Sequence, residues 1–239
     1  MGSSEFYDNF ISYQIESGIN DRIYGLYKRV CNSGLSPDAS ILEIGCGIGS
    51  LTYLLSKKVK KGKIEAMDIS PKSIEFAKKH LERRNIIFAS SDILDFEPEN
   101  LKFDKILLFD VLEHIPEENH VLIFNKIGKW MDDDSMLLIN LPNPDYILFD
   151  LKNNLEALQE IDNPVFLNKL SNVLDITSLH IDYFETYSVW VKNDYQFLTV
   201  KKKTAFVKRE LSQQQNILEK LYVRLGRGFR KFIYNYPKK

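Results

Sequence analysis

Gly45, Gly47 and Gly49 alternate in the run EIGCGIGS, directly after the apolar stretch Ile41–Ile44. Without a Cβ, backbone of this kind turns tightly and can approach a ligand closely. Asp68 closes the next apolar stretch, 21 residues past Gly47. A carboxylate at that distance can accept both hydroxyls of a ribose. Asp92 follows a third apolar stretch and adds another polar group at the same edge. Together these residues point to an adenosine-containing ligand. The glycine spacing is G-x-G-x-G with Ser50 in the sixth place. It therefore departs from the dinucleotide fingerprint, and no Lys-Ser/Thr pair follows as in a phosphate-binding P-loop. Cys46 reads as a small residue filling a tight turn of the ligand-facing loop, since no base neighbours it.

The elements that must hold these residues follow from periodicity. Residues 20–33, 51–59, the stretch opened by Ser70-Pro71, and 116–131 have helical spacing. Between them lie short apolar runs at 41–44, 64–68, 85–89, 103–109 and 135–141. Strands that alternate with helices imply a parallel sheet covered on both faces, because parallel neighbours need a crossover. The alternation stops after Pro142. Residues 143–174 are expected to form an inserted cap. Leu179–Val191 and Tyr195–Val200 then read as a closing antiparallel pair, joined by Lys192-Asn193-Asp194.

Four stretches in order, ILEIGCGIG (41–49), AMDIS (66–70), SSDIL (90–94) and FDVLEHIP (109–116), resemble the class I S-adenosylmethionine-dependent methyltransferases. The resemblance covers roughly residues 35–142. It implies an α/β, Rossmann-like fold: a seven-stranded, mostly parallel sheet with an antiparallel last strand, helices on both faces and an inserted cap. It also implies S-adenosyl-L-methionine as cofactor. By that resemblance Gly45, Cys46, Gly47 and Gly49 would admit the methionine moiety, with Glu43 structuring the loop. Asp68 would hold the ribose and Ile69 would touch adenine. Asp92 would accept from the adenine amino group, with Ile93 against the ring, and Ser91 would also bind the cofactor. Phe109 and Asp110 would lie near the sulfonium. The N-terminal FYDNFISY is similar to the lid helix of small-molecule methyltransferases, with Tyr7 or Tyr13 covering the cofactor.

Methyl transfer from a sulfonium is an in-line displacement in which positive charge disperses. The protein's tasks are alignment and exclusion of water. A hydroxyl acceptor must also lose a proton, and a base speeds that step by about 10²–10⁴-fold. His114 is the candidate base, with Glu113 orienting or replacing it; the alternative is that His114 caps the following helix or fills space below the site. His80 and His120 are expected to be solvated, while His180 could reach the acceptor from the cap. Asn140 and Asn143 could hydrogen-bond an acceptor. The acid run Asp132–Asp134 reads as a solvated turn, and no metal site is expected. The expected reaction is O-methylation of a sugar, a glycolipid-linked intermediate or a small metabolite. N-methylation of an amino sugar or amine is one alternative, and a non-catalytic cofactor-binding subunit is another. A nicotinamide dehydrogenase is disfavoured by the glycine spacing.

Composition sets the frame. The 239 residues are 44% hydrophobic and 27% charged, with a net charge of −1, so a folded core is expected. Cys31 and Cys46 can form neither a disulfide framework nor a four-ligand zinc site. No signal peptide, myristoylation signal or membrane-spanning run is read, so the expected location is cytoplasmic. The even balance hides an asymmetry: from Lys201 onward twelve basic residues face only Glu210 and Glu219. Leu218, Leu221, Tyr222, Leu225, Phe229, Phe232, Ile233 and Tyr236 recur at helical spacing, with Lys220, Arg224, Arg227, Arg230 and Lys231 between them. Three domains are expected: a helical lid (1–34), a methyltransferase domain (35–203) and a basic amphipathic helix (204–239). The tail could contact a membrane surface, pack on the protein itself or self-associate. The expected partner is a small-molecule or glycan acceptor, not a nucleic acid.

Overall fold

A computed structural model describes residues 11–81, 83–155, 162–205, 207–208 and 216–234. The chain divides into two compact units, Met1–Lys203 and Thr204–Lys239. Tyr7 and Tyr236 lie outside the described residues.

The first unit is built on one seven-stranded sheet. Its strands are β1 (Ser40–Ile44), β2 (Lys63–Asp68), β3 (Ile86–Ser90), β4 (Phe103–Phe109), β5 (Met131–Pro142), β6 (Leu179–Tyr187) and β7 (Tyr195–Lys202). They lie in the order β3-β2-β1-β4-β5-β7-β6. β7 alone runs against the direction of the other six strands. The expected fold, with its antiparallel last strand, is the observed one. The chain order reverses between β1 and β4, and the crevice beyond their carboxyl ends is where an open α/β sheet takes ligands.

Successive residues of β4 serve opposite faces, as the strand's two-residue period demands. Ile106 and Leu108 join Ile123, Phe124 and Ile127 of α4 (His120–Lys129) and Leu170 and Leu174 of α6 (Leu167–Ile176). Leu107 and Phe109 join Leu26 and Val30 of α1 (Asp21–Asn32) and Leu51 and Leu55 of α2 (Ser50–Lys58). The third helix on the sheet, α3 (Pro71–His80), is capped by the Ser70 hydroxyl and starts with Pro71. Of the stretch expected as a cap, α5 (Pro144–Asn153) begins at the carboxyl edge of β5, whereas α6 covers the sheet.

Several local expectations change in three dimensions. Asp132–Asp134 stay exposed but lie in a bulge of β5, where Ser135 takes the Asp132 amide at 2.7 Å. β6 ends at Tyr187 rather than Val191. The buried Asp194 carboxylate instead gathers the amides of Val189, Trp190 and Val191 at 2.8–3.0 Å into a tight loop. His80 is exposed and bonds the Phe76 carbonyl, but His120 is buried with Nε2 3.1 Å from the Ile115 carbonyl. His180 pairs with Lys201 at the start of β6, at the sheet edge opposite the ligand crevice, so it does not serve an acceptor there. Lys201 and Lys202 belong to β7 rather than to a tail, and Lys201 bridges Asp182 at 2.8 Å.

Leu107 is fully buried in the central strand. Leu107→Ala is expected to cost about 2–5 kcal/mol through lost transfer energy and a residual cavity, read as a lower urea midpoint.

Candidate functional site

The loop after β1 is tied to the end of β2. Gly45 and Cys46 donate their amides to the Met67 carbonyl at 2.8 and 3.0 Å. Asp68 then closes the junction: its carboxylate accepts the Gly47 amide at 2.7 Å and the Ser70 amide at 2.9 Å. Gly47 has φ +53°, a left-handed conformation that side chains rarely adopt, and a Cβ there would lie 2.8 Å from the Gln14 amide. Gly49 has φ +84°; its added Cβ would strike Leu81, which packs under the loop. Gly49 therefore serves the approach of loop to helix and does not line the crevice.

Beneath the loop, Glu43 is buried and accepts the Thr52 hydroxyl at 2.6 Å. That bond joins β1 to α2. Burial pushes the Glu43 carboxyl up to about 8, against the pull of the Thr52 bond, and the nearby Asp68 charge adds to the rise. The same burial holds the Cys46 thiol well above its ordinary range, which leaves it a poor nucleophile. Its Sγ sits 3.6 Å from the Gly47 carbonyl.

These residues open onto a cavity of about 600 Å³. Tyr13, Glu43, Gly45, Cys46, Gly47, Asp68 and Ile69 line it. Ser91, Asp92, Ile93, Phe109, Asp110 and His114 line it as well. Of the described residues expected to bind cofactor or act as base, only Gly49 and Glu113 do not. Tyr13 stands 61% exposed on its rim. On the neighbouring strand end, Asp92 accepts the Leu94 amide at 2.8 Å, which turns the chain so that Ile93 faces the cavity. Two carboxylates, each followed by an isoleucine, thus stand on adjacent strand ends.

The opposite wall is a chain of polar contacts across three strands. Asp110 holds a left-handed φ of +54° and gives its amide to the Asn140 carbonyl at 2.9 Å. Its carboxylate pairs with Arg22 from the first turn of α1 and accepts the Asn140 side-chain amide at 2.7 Å. Asn140 accepts the Tyr187 hydroxyl at 2.7 Å, and the Arg29 guanidinium covers the Tyr187 ring at 3.7 Å. Burial pushes the phenols of Tyr187 and Tyr195 up to about 12, so both stay protonated. Asn140 is therefore spent on the wall. Asn143 caps α5 through the Asp145 amide at 3.0 Å.

His114 ends a short turn of 3₁₀ helix, Leu112–His114, and does not cap α4, where Asn119 takes that position. Its Nδ1 lies 3.1 Å from Asp162, whereas Glu113 is 4.0 Å from Nε2. His114 and Asp162 side chains are 13% and 12% exposed, a setting that strengthens the pair without sealing it from the cavity. Glu113 is buried, and desolvation raises its carboxyl while the His114 charge opposes the rise. Among the described residues, its Oε2 has no hydrogen-bond partner. Sequence reasoning missed Asp162, Arg22, Tyr187 and Tyr195, which are distant in the chain and carry no local motif. An aspartate so far along the chain from its histidine has no spacing signal to betray it.

Residues 35–202 match the family model described as a methyltransferase domain. Among curated proteins, the chain is 30% identical over 103 residues to (S)-coclaurine N-methyltransferase of Papaver somniferum, covering 42% of this chain and 28% of that protein. It is 27% identical over 175 residues to malonyl-[acyl-carrier protein] O-methyltransferase 1 of Ilyobacter polytropus, covering 72% of this chain and 61% of that protein. The chain thus spans less than two thirds of the length of these relatives. Among solved structures, it matches magnesium protoporphyrin IX methyltransferase from Synechocystis PCC 6803 with bound SAH. That match has a TM-score of 0.62 at 18% identity over 81% of this chain and 87% of the other. A second match, the putative methyltransferase in complex with the Trm112 methyltransferase activator of Haloferax volcanii, has a TM-score of 0.66 at 11% identity over 82% and 96% of the two chains.

Because Glu43 holds its proton in the folded chain to about pH 8 and loses it near 4.5 when unfolded, its burial costs stability as pH rises across that interval. Glu43→Gln keeps an acceptor for Thr52 and cannot ionise. Its melting temperature relative to the native chain is expected to climb from pH 5 to pH 8 by scanning calorimetry; a difference independent of pH would refute this.

Proposed function

The chain belongs to the methyltransferase-domain family, and from that premise we propose that it transfers a methyl group from S-adenosylmethionine to a hydroxyl of a sugar, a lipid-linked glycan intermediate or a small metabolite. The cofactor's chemistry fits the residues present. A cavity of about 600 Å³ is within the usual range for a small-ligand site. Asp68 and Asp92 offer acceptors to ribose hydroxyls and an adenine amino group, with Ile69 and Ile93 as apolar surfaces beside them. Gln14 Oε1, at the glycine loop, is a buried acceptor without a hydrogen-bond partner among the described residues. An acceptor left over there suits a ligand that brings its own donor, such as an α-ammonium group.

S-adenosylmethionine, when bound, supplies an electrophilic methyl group on a sulfonium. The chain's own residues do the rest. Asp68, held by two backbone amides, keeps its carboxylate oriented without a search through rotamers, so little entropy is lost when it accepts hydroxyls. Phe109 and Tyr195 contribute aromatic wall, and Trp190 stands at the rim. With both reactants bound, this surface would help to keep water from the reacting atoms. Holding the reactants in line can contribute up to about 7–11 kcal/mol of the barrier reduction.

The observation that carries the oxygen-directed reading is the His114–Asp162 pair. Asp162 accepts from the Nδ1 side, which selects the tautomer with Nε2 as the basic nitrogen and stabilises the imidazolium once a proton arrives. A hydroxyl acceptor needs that base; a neutral amine does not. An amine acceptor is the second reading, favoured by the Asp110 carboxylate on the cavity wall, although its pairing with Arg22 offsets much of the pull it would exert on an ammonium group.

Two measurements test this. Asp68→Ala is expected to abolish the heat of adenosylhomocysteine binding in calorimetry while the fold is retained by circular dichroism. Unchanged binding would remove the cofactor assignment. With a panel of hydroxyl and amine acceptors, His114→Ala is expected to lower kcat by about 10²–10⁴-fold with adenosylhomocysteine affinity intact. A loss below about tenfold would favour the amine reading.

A further inference from the structure

The second unit is described by one helix, α7 (Ile217–Tyr234). Its start is a reciprocal cap: Asn216 Oδ1 accepts the Glu219 amide and Glu219 Oε2 accepts the Asn216 amide, both at 2.9 Å. Glu219 is the helix's only acid, and this cap engages it. The remaining charged face is therefore wholly cationic.

At about 100° per residue, the side chains of α7 separate into two arcs. Ile217, Leu221, Phe232, Leu225, Leu218, Phe229, Tyr222 and Ile233 fill one arc of about 160°. Lys220, Arg224, Arg227 and Arg230 fall on the other, with Val223 and Tyr234 between them. As a unit of its own, the helix leaves Leu218, Tyr222, Leu225, Phe229 and Phe232 exposed. No described helix is long and apolar enough to cross a membrane.

We propose that α7 lies in the surface of an anionic lipid bilayer, its apolar arc among the acyl chains and its arginines among the phosphates. Three features favour this occupant over a second copy of the helix. The apolar arc is wider than the narrow seam a two-helix coil uses. The flanks of two identical helices would carry like charge with no acid to pair them. The arc is rich in aromatic side chains, and arginines flank it, as interfacial helices require. Nucleic acid would explain the arginines but would leave the apolar arc in water. The proposal is independent of the methyl-transfer reading.

The test uses the full chain and sedimentation with vesicles of phosphatidylglycerol and phosphatidylcholine, beside vesicles of phosphatidylcholine alone. The chain is expected to pellet with the anionic vesicles and to be released by high salt. Arg224→Gln with Arg227→Gln is expected to weaken binding by about 25-fold, since each cation near the surface contributes about fivefold. Leu225→Glu with Phe229→Glu is expected to reduce it to background. Both variants are expected to bind adenosylhomocysteine as the native chain does, which separates this test from that of the cofactor site. A chain that stays in solution with both vesicles, or pellets equally with both, overturns the proposal. So does a dimer by light scattering that Leu225→Glu dissolves while vesicle binding is absent. RNA binding that survives loss of the apolar residues, without vesicle binding, overturns it as well.

Discussion

The site depends on one carboxylate. Asp68 stands at the end of β2 and accepts the Gly47 amide from the loop after β1 and the Ser70 amide from the start of α3. Two strand ends and a helix start are thereby fixed to a single rigid anion. The loop's left-handed glycine backbone is the other half of the constraint, because only a residue without a side chain lets the Gly47 amide face Asp68 at low cost. Charge-assisted bonds of this type are shorter and stronger than neutral ones. The same carboxylate faces the cavity, so the group that organises the loop also offers acceptors to a ligand.

The opposite wall is organised on a different principle. Arg22, Asp110, Asn140, Tyr187 and Arg29 form a continuous series of contacts from α1 across β4, β5 and β6. Each group satisfies the next, so several polar side chains can lie against the core without orphaned donors. Asp110 occupies a strained backbone conformation that the series maintains. Strain held at a ligand-facing position by surrounding bonds is a recurrent property of sites that must be shaped before the ligand arrives. The Asp194-centred loop, with Trp190 at the rim, adds a second preformed feature to this side.

Charge is distributed unevenly along the chain. The twelve basic residues from Lys201 onward face a deficit of eleven in the preceding 200 residues. Part of that basic excess belongs to the sheet, since Lys201 and Lys203 pair with Asp182 and Asp175. The helix of the second unit keeps its cations on one side and spends its acid on a cap. Such segregation is a statement about what the helix meets, because an even mixture of charge would serve solubility equally well.

The local features were legible from the chain alone. Strand–helix alternation, the glycine loop, the acids at 68 and 92 and the cationic amphipathic tail are all properties of neighbours in sequence, where period and spacing carry the signal. The antiparallel last strand was also readable, since a hairpin is a short-range event. What only the tertiary structure decided was convergence. Asp162 reaches His114, Arg22 reaches Asp110, and Tyr187 reaches Asn140 over dozens of residues, and no local pattern encodes such meetings. His120 is buried by a turn that cannot be inferred from its helical position, and His180 lies away from the crevice because it starts β6, which runs in the same direction as β5. Sequence specifies each element through short-range preferences. The side chains that meet at the site are selected by the packing of whole elements, which is a long-range balance of burial and hydrogen bonding.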